Sequence, residues 1–204
     1  VYVNAGKIFS GINSVCLLKN TLLPVTIYES SRLLKKYPEF NAYYENYGIT
    51  YYQEVNIGVA MDMDMGLKVV NIPQCHKMSI KDIETCMMNL ADKYCNNSLE
   101  IGDVTGSTFT ITDLSKEGVM FFSPLINAKQ AAILGISAVD ERTGDCVYTL
   151  TFDHRITEGR KAAMFLKELK LRLESYGIQK REESISPENA RCCRCLLGLG
   201  QDRN

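Results

Sequence analysis

The chain has 204 residues, of which 46% are hydrophobic and 23% are charged, and its formal net charge is −1. This composition is typical of a globular protein with a sizeable core, in one large domain or two small ones. Because 23 Lys and Arg residues nearly cancel 24 Asp and Glu residues, no overall basic field exists, and we expect no nucleic-acid partner. No apolar stretch approaches the roughly 18–20 residues of a transmembrane helix, so we expect no membrane partner either.

The N-terminal segment lacks a basic region followed by an apolar core, so we predict no signal peptide. We therefore expect a cytoplasmic protein, or one of the mitochondrial matrix or a plastid if the source is a eukaryote. The chain begins at Val1 rather than Met, from which we expect further sequence upstream. In a reducing compartment, five scattered cysteines are predicted to remain thiols that pack as small hydrophobic residues. These are Cys16, Cys75, Cys86, Cys95 and Cys146.

The first predicted helix lies in residues 22–40, "LLPVTIYESSRLLKKYPEF". Pro24 stands near its first turn, where the missing amide donor costs nothing. Lys35 and Lys36 occupy its last turn, and Pro38 ends it. The segment therefore carries consistent start and stop signals.

Further along the chain, Ser79 and Asp82 have the spacing of a capping box that opens a helix over 80–94. A last long helix is predicted from Thr157, with apolar residues at helical spacing and Gly177 at the position of a C-cap glycine. Strands are predicted where β-branched and aromatic residues cluster, namely at 51–62, 67–72, 107–114, 118–126, 131–139 and 146–154. Helices combined with mostly non-local strands predict an α/β or α+β domain.

The composition becomes polar near residue 183, so we divide the chain into a domain of residues 1–182 and a tail of residues 183–204. The tail contains "RCCRC", in which Cys192 and Cys195 have half of a zinc-binding spacing. Three interpretations stay open: half of a zinc ribbon, a zinc site shared between chains, or thiols that bind no metal.

The two histidines of the chain are His76 and His154. His154 follows the apolar run "VYTLTFD" and precedes the last helix, whose first turn contains Glu158 near the positive end of the helix dipole. An imidazole with a pKa near ~6.5 suits a general base, although a structural histidine followed by an acidic first turn gives the same pattern. His76 precedes a helix and is predicted to be a solvent-facing loop residue.

Four motifs follow one another along the chain, namely "PEFNAYY", "VNIGVA", "GSTFTITD" and "TFDHRITEG". Together they resemble the acyltransferase catalytic domains of 2-oxo-acid dehydrogenase complexes, which share the chloramphenicol acetyltransferase fold. This resemblance covers residues 20–176. It implies an α/β (α+β) domain with a sheet flanked by helices. It also implies a homotrimer with its active sites between subunits.

The resemblance implies roles for five residues. His154 would be the general base, Thr112 would take the place of the family's serine as the oxyanion donor, and Glu158 would hold the acidic position that braces the site. Asp113 and Asn127 would contact substrate, although a turn-forming Asp and a strand-end amide are the alternatives. The co-substrate would be acetyl-CoA or another acyl thioester, and zinc is the metal that the tail would hold.

Thr112, Glu158 and the tail depart from the family pattern, so we first expect an acyl transfer from CoA or a carrier protein to a small-molecule hydroxyl. The alternative acceptor is dihydrolipoamide on a lipoyl domain, within the core of a dehydrogenase complex. Two hypotheses of other classes are a non-catalytic trimeric scaffold and a zinc-dependent interaction module.

Overall fold

A computed structural model describes residues 1–13, 16–63 and 65–177. The predicted tail, with Cys192 and Cys195, lies outside this part of the chain. Within it, the helices are α1 Ala5–Ile12, α2 Leu23–Lys36, α3 Ile80–Cys95 and α4 Gly159–Ser175. The strands are β1 Tyr2–Asn4, β2 Ala42–Glu45, β3 Gly48–Tyr51, β4 Ile57–Met61, β5 Lys68–Ile72, β6 Phe109–Asp113, β7 Ala132–Ile136 and β8 Asp145–Phe152. None of these helices is long and apolar enough to cross a membrane.

Six strands form one mixed sheet in the order β1-β8-β7-β6-β4-β5, and β2 and β3 form a separate hairpin. Strand β6 is parallel to both β4 and β7, while the other neighbouring pairs are antiparallel. The predicted α/β (α+β) class, with a sheet and helices, is therefore confirmed.

The helices pack on one face of this sheet. Phe109 of β6 lies against Phe165 of α4, with ring centroids 6.4 Å apart, and the Tyr148 hydroxyl is 2.7 Å from the Thr26 hydroxyl of α2. Because successive side chains of a strand point to opposite faces, the alternate residues of β6, β7 and β8 point away from the helices. We call that second surface the open face.

Several local predictions are confirmed. Helix α2 has Pro in its first turn and Lys35 and Lys36 in its last. Helix α3 begins with the predicted capping box, in which both the Ser79 and the Asp82 side chains make their bonds. Cys16, Cys75 and Cys146 are buried as predicted, whereas Cys95 is exposed.

One predicted strand is wrong, and another is shorter than predicted. Residues 118–126 form no strand. Phe122 of this segment lies against Gly135 of β7, and β7 already pairs with β6 and β8. The segment predicted at 51–62 is divided between β3 and β4. The Asn41 amide donates to the carbonyl groups of Tyr52 and Glu54 in the intervening loop, at 3.2 Å and 3.0 Å.

Gly177 follows α4, as predicted, but glycine is required at this position for a steric reason. A Cβ at this position would lie 2.6 Å from the carbonyl oxygen of Lys7, so only glycine allows the end of α4 to approach α1. Helix α4 itself begins at Gly159, two residues later than predicted.

Candidate active site

His154 lies in the turn that joins β8 to α4. Its imidazole is exposed and lies against the Phe152 ring, with centroids 4.5 Å apart. No hydrogen bond from the described residues reaches this imidazole. The ring is therefore supported on one side and available on the other.

The turn is held by the residues on both sides of His154. The Arg155 guanidinium donates to the Asp153 carboxylate, with Nη2 2.6 Å from Oδ2, and the Arg155 amide donates to Oδ1 at 2.9 Å. These bonds to Arg155 lower the pKa of the Asp153 carboxyl below its ordinary value. The Arg155 guanidinium also lies over the Tyr44 ring, 4.5 Å from its centroid. This clamp was not predicted from the sequence, in which its signal is the pair of opposite charges at Asp153 and Arg155, two residues apart.

Glu158 is the N-cap residue of α4, and its side chain makes no capping bond. It is exposed, and no hydrogen bond or ion pair joins it to His154 within the described residues. The bracing predicted for Glu158 is supplied in the single protomer by the hydrogen bonds between Arg155 and Asp153. Thr157 lies between Arg155 and Glu158 in the chain. Its side chain is buried, and its hydroxyl has no hydrogen-bond partner among the described residues.

Thr112 lies on the open face of β6. It pairs with Gly135 of β7, which in turn pairs with Thr149 of β8. Thr110, two residues earlier, shares this face because side chains alternate along a strand. The hydroxyl of Thr112 therefore points into a surface lined by small polar residues and glycine.

Asn127 is on the same face as Thr112. Its amide donates to the Thr110 hydroxyl at 2.9 Å, and that hydroxyl donates to the Gln130 amide oxygen at 2.8 Å. The Gln130 amide in turn donates to the Ser107 carbonyl at 3.0 Å. The Asn127 amide, which we predicted to contact substrate, is thus already hydrogen-bonded to a residue of the open face.

Asp113 lies on the opposite face of β6 from Thr112. It pairs with Ile136, which pairs with Tyr148, whose hydroxyl reaches the helix layer. The Asp113 carboxylate accepts a hydrogen bond from the Ser115 amide at 2.8 Å, in a turn that the short Asp side chain favours. Burial raises the pKa of the Asp113 carboxyl. The geometry supports the turn-forming alternative and removes Asp113 from the surface that carries Thr112.

His76 is not the solvent-facing residue that we predicted. Its side chain is only 12% exposed, and Nε2 lies 3.3 Å from Glu54 Oε2. Burial lowers the pKa of its imidazole. His76 thus joins the loop after β5 to Glu54 in the loop after β3, which indicates a structural role.

Thr112 and His154 of one protomer lie far apart. Phe152 pairs with Ala132, three residues along β7 from Gly135, the partner of Thr112. Three residues of strand span about 10 Å and two strand spacings about 10 Å, so the Cα atoms of Phe152 and Thr112 are separated by about 14 Å. His154 lies two residues further away along the chain. A reacting carbonyl must lie about 3 Å from both the base-activated nucleophile and the oxyanion donor, so Thr112 and His154 of the same protomer do not serve the same carbonyl.

No cluster of three or more His, Cys, Asp or Glu side chains that could hold a metal occurs in residues 1–13, 16–63 and 65–177. The zinc hypothesis concerns Cys192 and Cys195 and stays a prediction.

A family model described as 2-oxoacid dehydrogenases acyltransferase (catalytic domain) matches residues 10–178. The dihydrolipoyllysine-residue acetyltransferase component of the pyruvate dehydrogenase complex of Corynebacterium glutamicum is 33% identical, over 78% of this chain and 26% of its own length. The succinyltransferase component of the 2-oxoglutarate dehydrogenase complex of Haemophilus influenzae is 35% identical, over 69% of this chain and 37% of its own length. The chain thus spans between about a quarter and just over a third of these curated relatives.

Solved structures agree with the family model. A probable dihydrolipoamide acetyltransferase from Listeria monocytogenes superposes with a TM-score of 0.83 at 26% identity, covering 89% of this chain and 85% of that one. The dihydrolipoamide acetyltransferase of Azotobacter vinelandii has a TM-score of 0.76 at 27% identity, covering 85% of this chain and 79% of that one. Its structure concerned the catalytic roles of a serine, a histidine and an asparagine four residues after the histidine.

A chloramphenicol acetyltransferase shares the fold alone, with a TM-score of 0.57 at 13% identity over 86% of this chain and 85% of that one. The family model and these relatives, taken with this architecture, place the chain in the 2-oxoacid dehydrogenases acyltransferase (catalytic domain) family.

Proposed function

We propose that the protein is a dihydrolipoamide acyltransferase, which moves an acyl group between CoA and a dihydrolipoyl thiol. The observation that carries this proposal is the presentation of His154 on the clamped β8–α4 turn, four residues before Glu158. The histidine and asparagine studied in the Azotobacter vinelandii enzyme have the same spacing. The names of the relatives favour a dihydrolipoyl acceptor over the small-molecule hydroxyl that the sequence analysis placed first.

In this mechanism the His154 imidazole takes the proton of a dihydrolipoyl S–H, and the thiolate sulfur attacks the carbonyl carbon of the acyl-CoA. The Thr112 O–H donates a hydrogen bond to the oxyanion of the tetrahedral intermediate, and one such donor contributes about 10²–10³ in rate. The intermediate collapses by breaking the bond to the CoA sulfur, which receives the proton from the imidazolium. Every step reverses, so acyl-lipoyl groups also transfer to CoA.

The proposal includes a homotrimer, because the separation of Thr112 and His154 requires that they come from different protomers. The open face supports this arrangement. Segment 118–126 crosses it without joining a strand ladder and leaves Met120 45%, Phe121 70% and Leu125 86% exposed. Exposed apolar side chains grouped in this way mark an association surface. The partners would then be two further copies of the chain and a protein domain that carries the lipoyl group.

The test offers acetyl-CoA with dihydrolipoamide in one reaction and with a mixture of hydroxylated metabolites in another. Chromatography follows free CoA and the acetylated acceptor. We expect S-acetyldihydrolipoamide to form, and His154→Ala to lower kcat by about 10²–10⁴ because general-base catalysis is lost. His76→Gln is the matched control, since it changes the other histidine, and it should retain activity.

Transfer only to a hydroxylated acceptor would contradict the proposal and restore the first expectation. Indifference to His154→Ala, with no product above the blank in either reaction, would support the non-catalytic scaffold.

A further inference from the structure

The Phe122 ring fills the place of a missing side chain at the centre of the open face. A Cβ on Gly135 would lie 2.7 Å from the Phe122 Cζ and 3.0 Å from its Cε2. No side chain larger than hydrogen fits at Gly135 unless the ring moves. Phe122 itself is half-buried, so one side of the ring contacts the sheet and part of it remains accessible.

This position is next to Thr112. Gly135 is the direct partner of Thr112 on β6 and of Thr149 on β8. Neighbouring strands are separated by about 4.8 Å, so the ring stands one strand away from the Thr112 hydroxyl and on the same face. An acyl group whose carbonyl accepts a hydrogen bond from Thr112 would extend into the space that the Phe122 ring borders.

The surrounding strand residues carry no charge. Across β6, β7 and β8, Thr112 is aligned with Gly135 and Thr149. Two residues earlier on β6, Thr110 is aligned with Ile133 and Thr151. Asn127, which bonds to Thr110, is also neutral. A carboxylate at the far end of an acyl chain would lose water here without a cation from these residues, which is costly.

We propose that Phe122 is a specificity-determining residue, which closes the acyl pocket beside Thr112 and restricts the transferred group to a small uncharged acyl such as acetyl. The inference rests on the proposed function, since it takes the Thr112 hydroxyl as the partner of the thioester carbonyl. It selects one substrate class where the relatives include both an acetyltransferase and a succinyltransferase.

The test compares kcat/KM for acetyl-CoA, isobutyryl-CoA and succinyl-CoA with dihydrolipoamide as acceptor. The native protein should prefer acetyl-CoA. Phe122→Ala should raise the isobutyryl-to-acetyl ratio by about 10–100-fold, which lies within the range that a single methylene group is worth in an apolar pocket. Phe9→Ala is the matched control, because it removes the same ring from a half-buried position on α1, in the helix layer. It should leave the ratio unchanged, provided that gel filtration shows the same oligomer.

A reciprocal pair tests the contact itself. Gly135→Ala should lower kcat/KM for acetyl-CoA, because the new methyl group displaces the Phe122 ring into the acyl space. Adding Phe122→Ala to Gly135→Ala should recover that activity, since the ring that was displaced is gone.

An unchanged acyl preference in an active, correctly assembled Phe122→Ala variant would overturn the inference while the proposed function stands. A native preference for succinyl-CoA would overturn it as well. If the native protein transfers none of the three acyl groups, the proposed function and the inference fail together.

Discussion

Some side chains around His154 have hydrogen-bond partners, and others have none within the described residues. The Asp153 carboxylate and the Arg155 guanidinium satisfy each other and fix the turn. The Thr157 hydroxyl, three residues after His154, is buried without a partner in the described protomer. Such a group retains the cost of losing water with no hydrogen bond to offset it.

Replacing Thr157 by Val should therefore stabilise the protein. The change keeps the shape of the side chain and removes the unpaired hydroxyl, so we expect the free energy of unfolding to rise by about 1 kcal/mol. Urea denaturation at a fixed protein concentration measures this change. A decrease in stability would mean that the hydroxyl gains a partner in the assembled protein.

Thr26→Val is the matched control. Its hydroxyl is buried but donates to the Leu22 carbonyl at 2.8 Å and lies 2.7 Å from the Tyr148 hydroxyl. Removing it should lower the free energy of unfolding by about 1–3 kcal/mol, because the Tyr148 hydroxyl loses a partner.

At the scale of elements, α3 shows how a local signal fixes where a helix begins. The Ser79 hydroxyl accepts the Asp82 amide at 3.2 Å, and the Asp82 carboxylate accepts both the amide and the hydroxyl of Ser79. The side-chain hydrogen bond from Ser79 is the main cause that lowers the pKa of Asp82 below its ordinary value of 3.8.

This lowered pKa predicts a pH-dependent effect of Asp82→Asn. A carboxyl group with a lower pKa in the folded state stabilises the protein above its unfolded pKa, and that contribution is lost as the pH falls through the folded pKa. We expect Asp82→Asn to lower Tm at pH 7, and the difference from the native protein to vanish at a pH well below 3.8.

Thermal unfolding followed by circular dichroism measures both values. Asp92→Asn removes the same charge from the exposed part of α3 without a capping bond, and it should not reproduce the loss at pH 7. An equal loss in both variants would attribute the effect to net charge.

On the scale of the whole molecule, the sheet has helices on one face and an open face that presents Thr112. In the proposed trimer, a second copy of the chain would cover the apolar side chains that segment 118–126 exposes on this face. The separation between Thr112 and His154 in one protomer supports the proposed trimer from a different observation.

A site shared between protomers predicts complementation between two inactive variants. Thr112→Val lacks the oxyanion donor and His154→Ala lacks the base, so each alone should be inactive. In every trimer that contains both variants, one of the three sites would join a native Thr112 to a native His154 across an interface. Co-expression with two tags, tandem purification and the dihydrolipoamide assay measure the recovery.

Mixing the two proteins after each has assembled is the control and should restore nothing until the subunits exchange. No recovery in verified mixed trimers would mean that each protomer holds a complete site.

The sequence alone determined the features that depend on neighbours in the chain. Pro24, Lys35 and Pro38 bounded α2, and Ser79 with Asp82 opened α3, because capping and backbone restrictions act within a few residues. The motifs at 106–113 and 151–159 identified the family, as the comparisons confirm. The short β1 and α1 and the β2–β3 hairpin were missed, since their pattern is too brief to stand out from irregular chain.

Only the tertiary structure decided how these pieces meet. It separated His154 from Thr112, turned Asp113 toward the helices, buried His76 beside Glu54 and laid Phe122 over Gly135. Each result depends on the register between strands far apart in sequence, and a shift of one residue would send every side chain to the other face. A strand pattern shows that side chains alternate, but only pairing with the neighbouring strands fixes which of them face the site.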